Sequence, residues 1–214
     1  DEAFVYASSG STVYRWAYTK GLRMAPNGTA QVVVKGIPDG GHSSRPLAFD
    51  SQGRLYVSVG SASNVDQGSD QLELRSQIRR FQLPDSIPAG EVLATGMRNE
   101  SGIFVDAQDR LWGVENGRDN LSDSQLGGDI HNDNPGEEIN LVDGQGSKAY
   151  GYPYCFSEHI LNGGQGPGVQ WADDSLGTDL RKNDAFCQNL SNIHPPAYVM
   201  PAHWAPLGVI QYTG

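Results

Sequence analysis

Apolar and polar residues alternate with a period of two along most of this chain, in short runs broken by Gly, Ser, Asn, Asp and Pro. Such alternation predicts half-buried β-strands, because successive strand side chains point to opposite faces. Residues 3–7, 12–18 and 31–35 read as three strands, with turn chemistry at Ser8-Ser-Gly-Ser11 and Pro26-Asn-Gly28 between them. Strands follow at 46–50, 55–59, 77–83 and 91–95, and then at 102–106, 111–115, 138–142 and 197–200. No long helical period occurs.

The pattern repeats. The hairpin at 46–59, turning through Ser51-Gln-Gly53, recurs fifty-six residues on at 102–115. Asp50 matches Asp106, Arg54 matches Arg110, and Leu55 matches Leu111. A third copy opens at Ala205-Pro-Leu-Gly-Val-Ile-Gln-Tyr212, with His203 just before it. On the same offset His42 falls on Arg98. His42, Arg98 and His203 therefore stand at equivalent positions leading into successive repeats, and in a ring of repeats such positions converge on the axis.

Four antiparallel strands per repeat, at a spacing near fifty, predict an all-β chain built as a β-propeller. A β-sandwich also alternates short strands and turns; the copied hairpin and the matched lead-in residues favour the propeller. The expected divisions are a partial blade over 3–36, a blade over 46–96, a blade over 102–201 and the start of another over 205–214. A long insertion, 146–196, interrupts the third of these. Closure needs at least four blades, so the count predicts part of a longer ring. Asp1 is followed at once by strand-like residues, which reads as a processed or truncated start.

Composition narrows the partners. The 214 residues carry 25 acidic and 15 basic side chains, a net charge of -10, which argues against nucleic acid. No apolar run reaches the roughly 18 residues that a membrane span needs. The balance suits a secreted protein and calcium binding. Cys155 and Cys187 form either one disulfide or two free buried thiols. Asn27-Gly-Thr29, Asn120-Leu-Ser122 and Asn189-Leu-Ser191 are glycosylation triplets, in keeping with an extracellular location; Asn99-Glu-Ser101 is a fourth, expected to be shielded.

His42 is the best candidate for a general base, since a neutral imidazole accepts a hydroxyl proton near neutral pH. Arg98 and Asn99 stand at the matching position one repeat on. An axial cavity lined by Arg, Asn and His suits an anionic, planar, multi-carbonyl ligand, because the guanidinium fork matches carboxylate and quinone oxygens. A salt bridge within the propeller is the alternative for Arg98. Glu115-Asn-Gly-Arg-Asp-Asn120 follows on the same face, and Gly117 would let its carbonyls turn outward toward a cation. Asp129, His131, Asn132, Asp133, Asn134 and Glu137 form a second oxygen-rich cluster that a solvated loop explains equally well. There is no P-loop, dinucleotide glycine fingerprint, CxxC or HExxH.

At these residues the chain resembles the quinoprotein sugar dehydrogenases, the group of soluble glucose, L-sorbosone and fungal pyranose dehydrogenases. The resemblance rests on Gly41-His-Ser-Ser-Arg45, Gly96-Met-Arg-Asn-Glu-Ser-Gly102, Glu115-Asn-Gly-Arg118, Gly136-Glu-Glu-Ile-Asn-Leu141 and Tyr150-Gly-Tyr-Pro-Tyr-Cys155, from about Phe4 to Gly214. It implies a six-bladed β-propeller of four-stranded antiparallel blades, of which this chain covers roughly three to four. It also implies pyrroloquinoline quinone (PQQ) and one Ca2+ on the central face. His42 would take the proton from a sugar hydroxyl as hydride passes to the quinone, and Arg98 would stabilise charge on the quinone oxygen. Arg45, Arg98, Asn99 and Asn116 would contact the cofactor, and the carbonyls of Gly117 and Arg118 would hold calcium. Electrons would leave to an acceptor such as a cytochrome. The group's glucose branch carries glutamine where Ser101 stands and proline where Arg118 stands. Two other classes compete: a non-catalytic secreted propeller binding carbohydrate or protein, and a calcium-dependent lactonase-type propeller. The latter needs axial carboxylates, where this chain has His42, Arg98 and His203.

Overall fold

A computed structural model describes residues 4–21, 28–67, 74–83, 90–142, 149–176 and 183–212. The alternating runs become strands almost throughout, and every strand pair among the described strands is antiparallel. Strands β1 (Phe4–Ser8), β2 (Thr12–Ala17) and β3 (Gln31–Lys35) form a sheet in that order. Strands β4 (Leu47–Phe49), β5 (Leu55–Val59), β6 (Gln77–Phe81) and β7 (Glu91–Thr95) form a second. In the third, β8 (Glu100–Val105) pairs with β9 (Leu111–Glu115). A two-stranded ribbon of β10 (Ser122–Asp123) and β11 (Gly128–Asp129) intervenes before β12 (Glu137–Val142) returns to β9. Another ribbon, β13 (Cys155–Ser157) with β14 (Gln170–Ala172), lies in the insertion, and β15 (Tyr198–Met200) completes the third sheet against β12.

The middle sheet is covered on both faces. Leu55, Val57, Val59 and Phe81 pack with Val13, Val33 and Val34 of the first sheet and with Ile37 just beyond its last strand. On the other face, Ala48, Tyr56, Ile78 and Ala94 pack with Ile103, Leu111 and Val142 of the third. This is why β5 is buried at all five positions rather than at alternate ones. Each fully buried aliphatic side chain contributes roughly 1.5–3 kcal/mol. The first sheet also copies the second in its irregularity. A bulge falls between Val13 and Tyr14 on β2, and between Ile78 and Arg79 on β6.

The repeated turn has a repeated clasp. Asp50 accepts from the Gln52 and Arg54 N–H groups and from the Arg54 guanidinium and Tyr56 hydroxyl. Asp106 accepts from the Gln108 and Arg110 N–H groups, the Arg110 guanidinium and the Trp112 indole. Burial alone would raise both carboxyls; these donors outweigh it and hold them below the usual range.

The insertion carries Asp184–Cys187 as one short helix, capped by Asn183, whose side chain accepts from the Phe186 N–H. Cys155 and Cys187 are bridged, resolving the two readings of the pair in favour of the disulfide. The insertion is stitched to the second sheet, since Tyr150 and Tyr152 donate their N–H groups to the carbonyls of Thr95 and Gly96. Residues 205–212 lie against β8 without joining a ladder. Ser101 and Asn116 side chains both donate to the Pro206 carbonyl, and Gln211 accepts from the Ala107 N–H. The first residue of the Asn27 triplet lies outside the described residues.

Candidate functional site

The lead-ins to β4 and β8 and the loops after β5 and β9 meet on one edge of the second and third sheets. His42 is half-buried there. Its N–H donates to the Ser61 carbonyl at 3.0 Å, and its Nδ1 lies 3.1 Å from that carbonyl and 2.9 Å from Ser61 Oγ. A carbonyl only accepts, so Nδ1 carries the hydrogen and Nε2 presents its lone pair. No hydrogen bond among the described residues reaches Nε2. Burial, then the positive charge of Arg98, lowers the His42 pKa below 6.5 and keeps the ring neutral at pH 7.

Arg98 is buried and held at three points. Its Nε donates to the Asn64 carbonyl at 3.1 Å, one terminal nitrogen to the Asn116 carbonyl at 3.1 Å, and the other to Asn64 Oδ1 at 3.0 Å. Asp119 lies 3.5 Å from that last nitrogen. Neighbouring Asn99 donates to Asn116 Oδ1 at 3.3 Å, while its own Oδ1 is buried without a partner among the described residues. Gly60 makes room for this group. A Cβ there would come within 2.6 Å of His42 Cβ and 2.9 Å of Asn99 Oδ1.

The 116–120 loop follows. Gly117 donates its N–H to Glu137 Oε2 at 2.7 Å, and its φ is not left-handed. The expectation that Gly117 supplies an unusual backbone conformation is thus corrected: glycine is needed for space, since a Cβ would meet Pro135 at 2.7 Å. No donor among the described residues reaches the carbonyls of Gly117 or Arg118. The Arg118 side chain turns away into a buried ion pair with Asp173 of the insertion.

Beneath this loop three carboxylates converge on one amide. Asn140 Nδ2 lies 2.9 Å from Glu100, 3.2 Å from Glu115 and 3.1 Å from Glu138. Burial is the first cause raising all three, to about 8 for Glu100 and about 7 for Glu138; Glu115 rises well above the usual range, with Glu138 and Glu100 adding repulsion. Glu115 reaches back to accept the Arg98 N–H.

The structure thus brings His42, Arg98, Asn99, Asn116 and the 117–118 carbonyls to one edge. Arg45 is placed differently. It is buried, and its guanidinium donates to the carbonyls of Pro38, His42 and Ser44 within its own loop. Among the described residues, no group of three or more His, Cys, Asp or Glu side chains could hold a metal, the 129–137 cluster included. Ser61 and Asn64 were not singled out from the sequence, and Glu115, Glu137 and Tyr152 stood there only within longer motifs, without the contacts they make here. Tyr152 accepts the Asp66 N–H at 2.7 Å, steadying the loop that holds Arg98. The fifty-six-residue offset sets Asn64 on Asn120, the one signal that marked it.

A family model described as TrAA12-like matches residues 1–213. A pyrroloquinoline quinone-dependent sugar dehydrogenase of Hypocrea jecorina (strain QM6a) is 31% identical over 229 residues, covering 98% of this chain and 52% of the relative. The holo form of the pyranose dehydrogenase PQQ domain from Coprinopsis cinerea superposes with a TM-score of 0.86 at 28% identity, covering 99% of this chain and 55% of that one. The calcium structure of a Trichoderma reesei carbohydrate-active enzyme of family AA12 gives 0.83 at 30% identity, over 96% and 55%. The chain spans about half the length of these proteins.

Proposed function

The chain belongs to the TrAA12-like family, and from that premise we propose that it carries the base-bearing half of a quinone-dependent sugar oxidoreductase. The observation that supports this most directly is the His42 ring: neutral, oriented by Ser61 through Nδ1, with Nε2 left to accept a proton. A scaffold that only bound ligand would have no use for that tautomer beside a buried guanidinium.

The residues present fit the family's cofactors. The orphaned Asn99 Oδ1 and the guanidinium of Arg98 offer an acceptor and a cation to a polar planar ligand. The carbonyls of Gly117 and Arg118, which no donor among the described residues reaches, are hard oxygen donors of the kind calcium takes. Pyrroloquinoline quinone and calcium bound here would supply a two-electron acceptor and a Lewis acid. His42 Nε2 would take the proton of the sugar hydroxyl. Arg98, held in place by Asn64 and Asn116, would stabilise negative charge at an acceptor oxygen. Asn99 and Asn116 would fix ligand orientation, and Arg45 would serve by shaping the His42 loop.

The antiparallel sheets, stacked face to face, support the reading of a six-bladed propeller, of which this chain would build three to four blades. Extracellular location fits the Cys155–Cys187 bridge. A cytochrome or another one-electron acceptor would remove the electrons. No helix among the described residues is long and apolar enough to cross a membrane.

The test is a titration of the whole protein with pyrroloquinoline quinone, with and without calcium, followed by a panel of aldoses and sorbosone. Calcium-dependent binding and sugar-driven bleaching of the oxidised quinone are expected, with turnover lost but binding kept in His42→Ala. Absence of quinone binding at any calcium concentration refutes the enzyme reading and leaves a secreted propeller without this chemistry.

A further inference from the structure

Between the first and second sheets lies a cavity of about 270 Å3 that takes no part in the site around His42. Val34 and Ile37 wall it on one side, and Val57, Val59 and Phe81 on the other; all five are buried. Protein interiors seldom leave voids larger than a water molecule. Here the walls are fixed and do not collapse into the space. Val57 and Phe81 are held in the β5–β6 ladder, the Ile37 N–H donates to the Ser11 carbonyl at 3.2 Å, and Arg45 donates to the Pro38 carbonyl at 2.6 Å.

One lining residue breaks the apolar pattern. Arg79 stands two positions before Phe81 on β6, so it shares the face turned toward the first sheet, opposite Val57 in the ladder. Its Nε donates to Gln77 Oε1 at 2.8 Å and one terminal nitrogen to the Gly90 carbonyl at 2.9 Å. The other terminal nitrogen has no partner among the described residues, and no carboxylate there pairs with the guanidinium. Burial lowers the Arg79 pKa with no negative neighbour to offset it, and a guanidinium stays protonated even so. A half-buried cation without counter-charge, beside an apolar space, is a cost that a bound anion relieves. Exposed Leu74 and Lys35 also line the cavity, so solvent reaches it.

We propose that this cavity is a second binding site, taking a small monocarboxylate with an apolar body, the carboxylate on Arg79 and the body between Val34, Ile37, Val57 and Phe81. The space equals about nine water volumes, room for a body of roughly eight to ten non-hydrogen atoms. A purely apolar guest would leave the guanidinium unpaired. A sugar would bury hydroxyls against valine and phenylalanine, where they find no partners. A carboxylate on the free terminal nitrogen gains a charge-assisted hydrogen bond while its body fills the apolar part. The site requires neither quinone nor calcium, so it stands apart from the enzyme reading.

The test is calorimetry on the whole protein, free of quinone, with octanoate, phenylacetate and octan-1-ol. Wild type is expected to bind the carboxylates about tenfold or more tightly than the alcohol; the better of the two shows whether the body is a chain or a ring. Arg79→Met keeps the stem and removes the charge, and it should lose that preference while binding octan-1-ol as before. Leu74→Trp narrows the cavity from an exposed position and should weaken the carboxylates by a similar factor. Thermal unfolding without ligand checks that both variants fold, and the wild-type comparison of carboxylate with alcohol decides the matter even where one does not. Octan-1-ol bound as tightly as the carboxylates by wild type overturns the inference. So does carboxylate binding unchanged in folded Arg79→Met or Leu74→Trp, or the lack of saturable binding to wild type at millimolar ligand.

Discussion

Gly60→Ala isolates the geometry of the site from its chemistry. Gly60 is the first residue after β5, and its φ lies outside the left-handed region, so alanine adopts that backbone without strain. The effect is steric. The new Cβ would stand 2.6 Å from His42 Cβ and 2.9 Å from Asn99 Oδ1, against an ordinary contact limit near 3.4 Å. The deficits are 3.4 − 2.6 = 0.8 Å and 3.4 − 2.9 = 0.5 Å. The backbone cannot open freely to absorb them. The His42 N–H is bonded to the Ser61 carbonyl at 3.0 Å and the Ser61 N–H to the Arg98 carbonyl at 2.8 Å. Overpacking of this kind costs roughly 1–3 kcal/mol of stability, and a displacement near 1 Å of a reacting group costs about 100-fold in rate. Thermal unfolding and kcat/KM for the whole protein are the measurements, with Gly208→Ala as control, since nothing stands within 4 Å of its Cβ. A Gly60→Ala protein within threefold of wild-type kcat/KM would refute the placement of His42 and Asn99 argued here.

Three further outcomes are expected. Because burial and then Arg98 lower the His42 pKa, the acid limb of the kcat/KM profile lies below 6.5, and Arg98→Met moves it upward; an unmoved limb excludes His42 as the titrating base. Stability falls as pH rises from 6.5 to 8, because folded Glu100 and Glu138, at about 8 and about 7, keep protons that the unfolded chain has released. The slope is up to about 1.4 kcal/mol per pH unit for each such group, urea midpoints measure it, and Glu100→Gln with Glu138→Gln flattens it; rising stability over that range contradicts the assignment. Finally, the Cys155–Cys187 bridge closes a separation of 32 residues, worth about 3.7 kcal/mol on the loop-entropy relation. Cys155→Ser with Cys187→Ser should raise protease susceptibility first between residues 149 and 196, and cleavage beginning instead in the second sheet argues against a local role.

The strands and the repeat were legible in the sequence because each is a local pattern. Period-two alternation placed β3, β5, β7 and β9 to the residue, and Asp50 and Asp106 could be matched because the same turn imposes the same donors on each. The meeting of His42 with Arg98 followed from the offset alone, since equivalent positions in repeats share an edge. What the chain order could not give was which polar atoms find each other across loops. Arg45 and Arg98 look alike in sequence, yet one serves its own loop and the other reaches Asn64 and Asn116. Three glutamates on β8, β9 and β12 became a single buried cluster only when the ladder set Glu115 opposite both Glu100 and Glu138. Asn64 and Asp119 are fifty-five residues apart, and no periodicity joins them. Hydrophobic alternation is written into neighbouring residues and survives as sequence; hydrogen-bond partnership is decided by distance and direction in space, which the packing of one sheet on the next supplies.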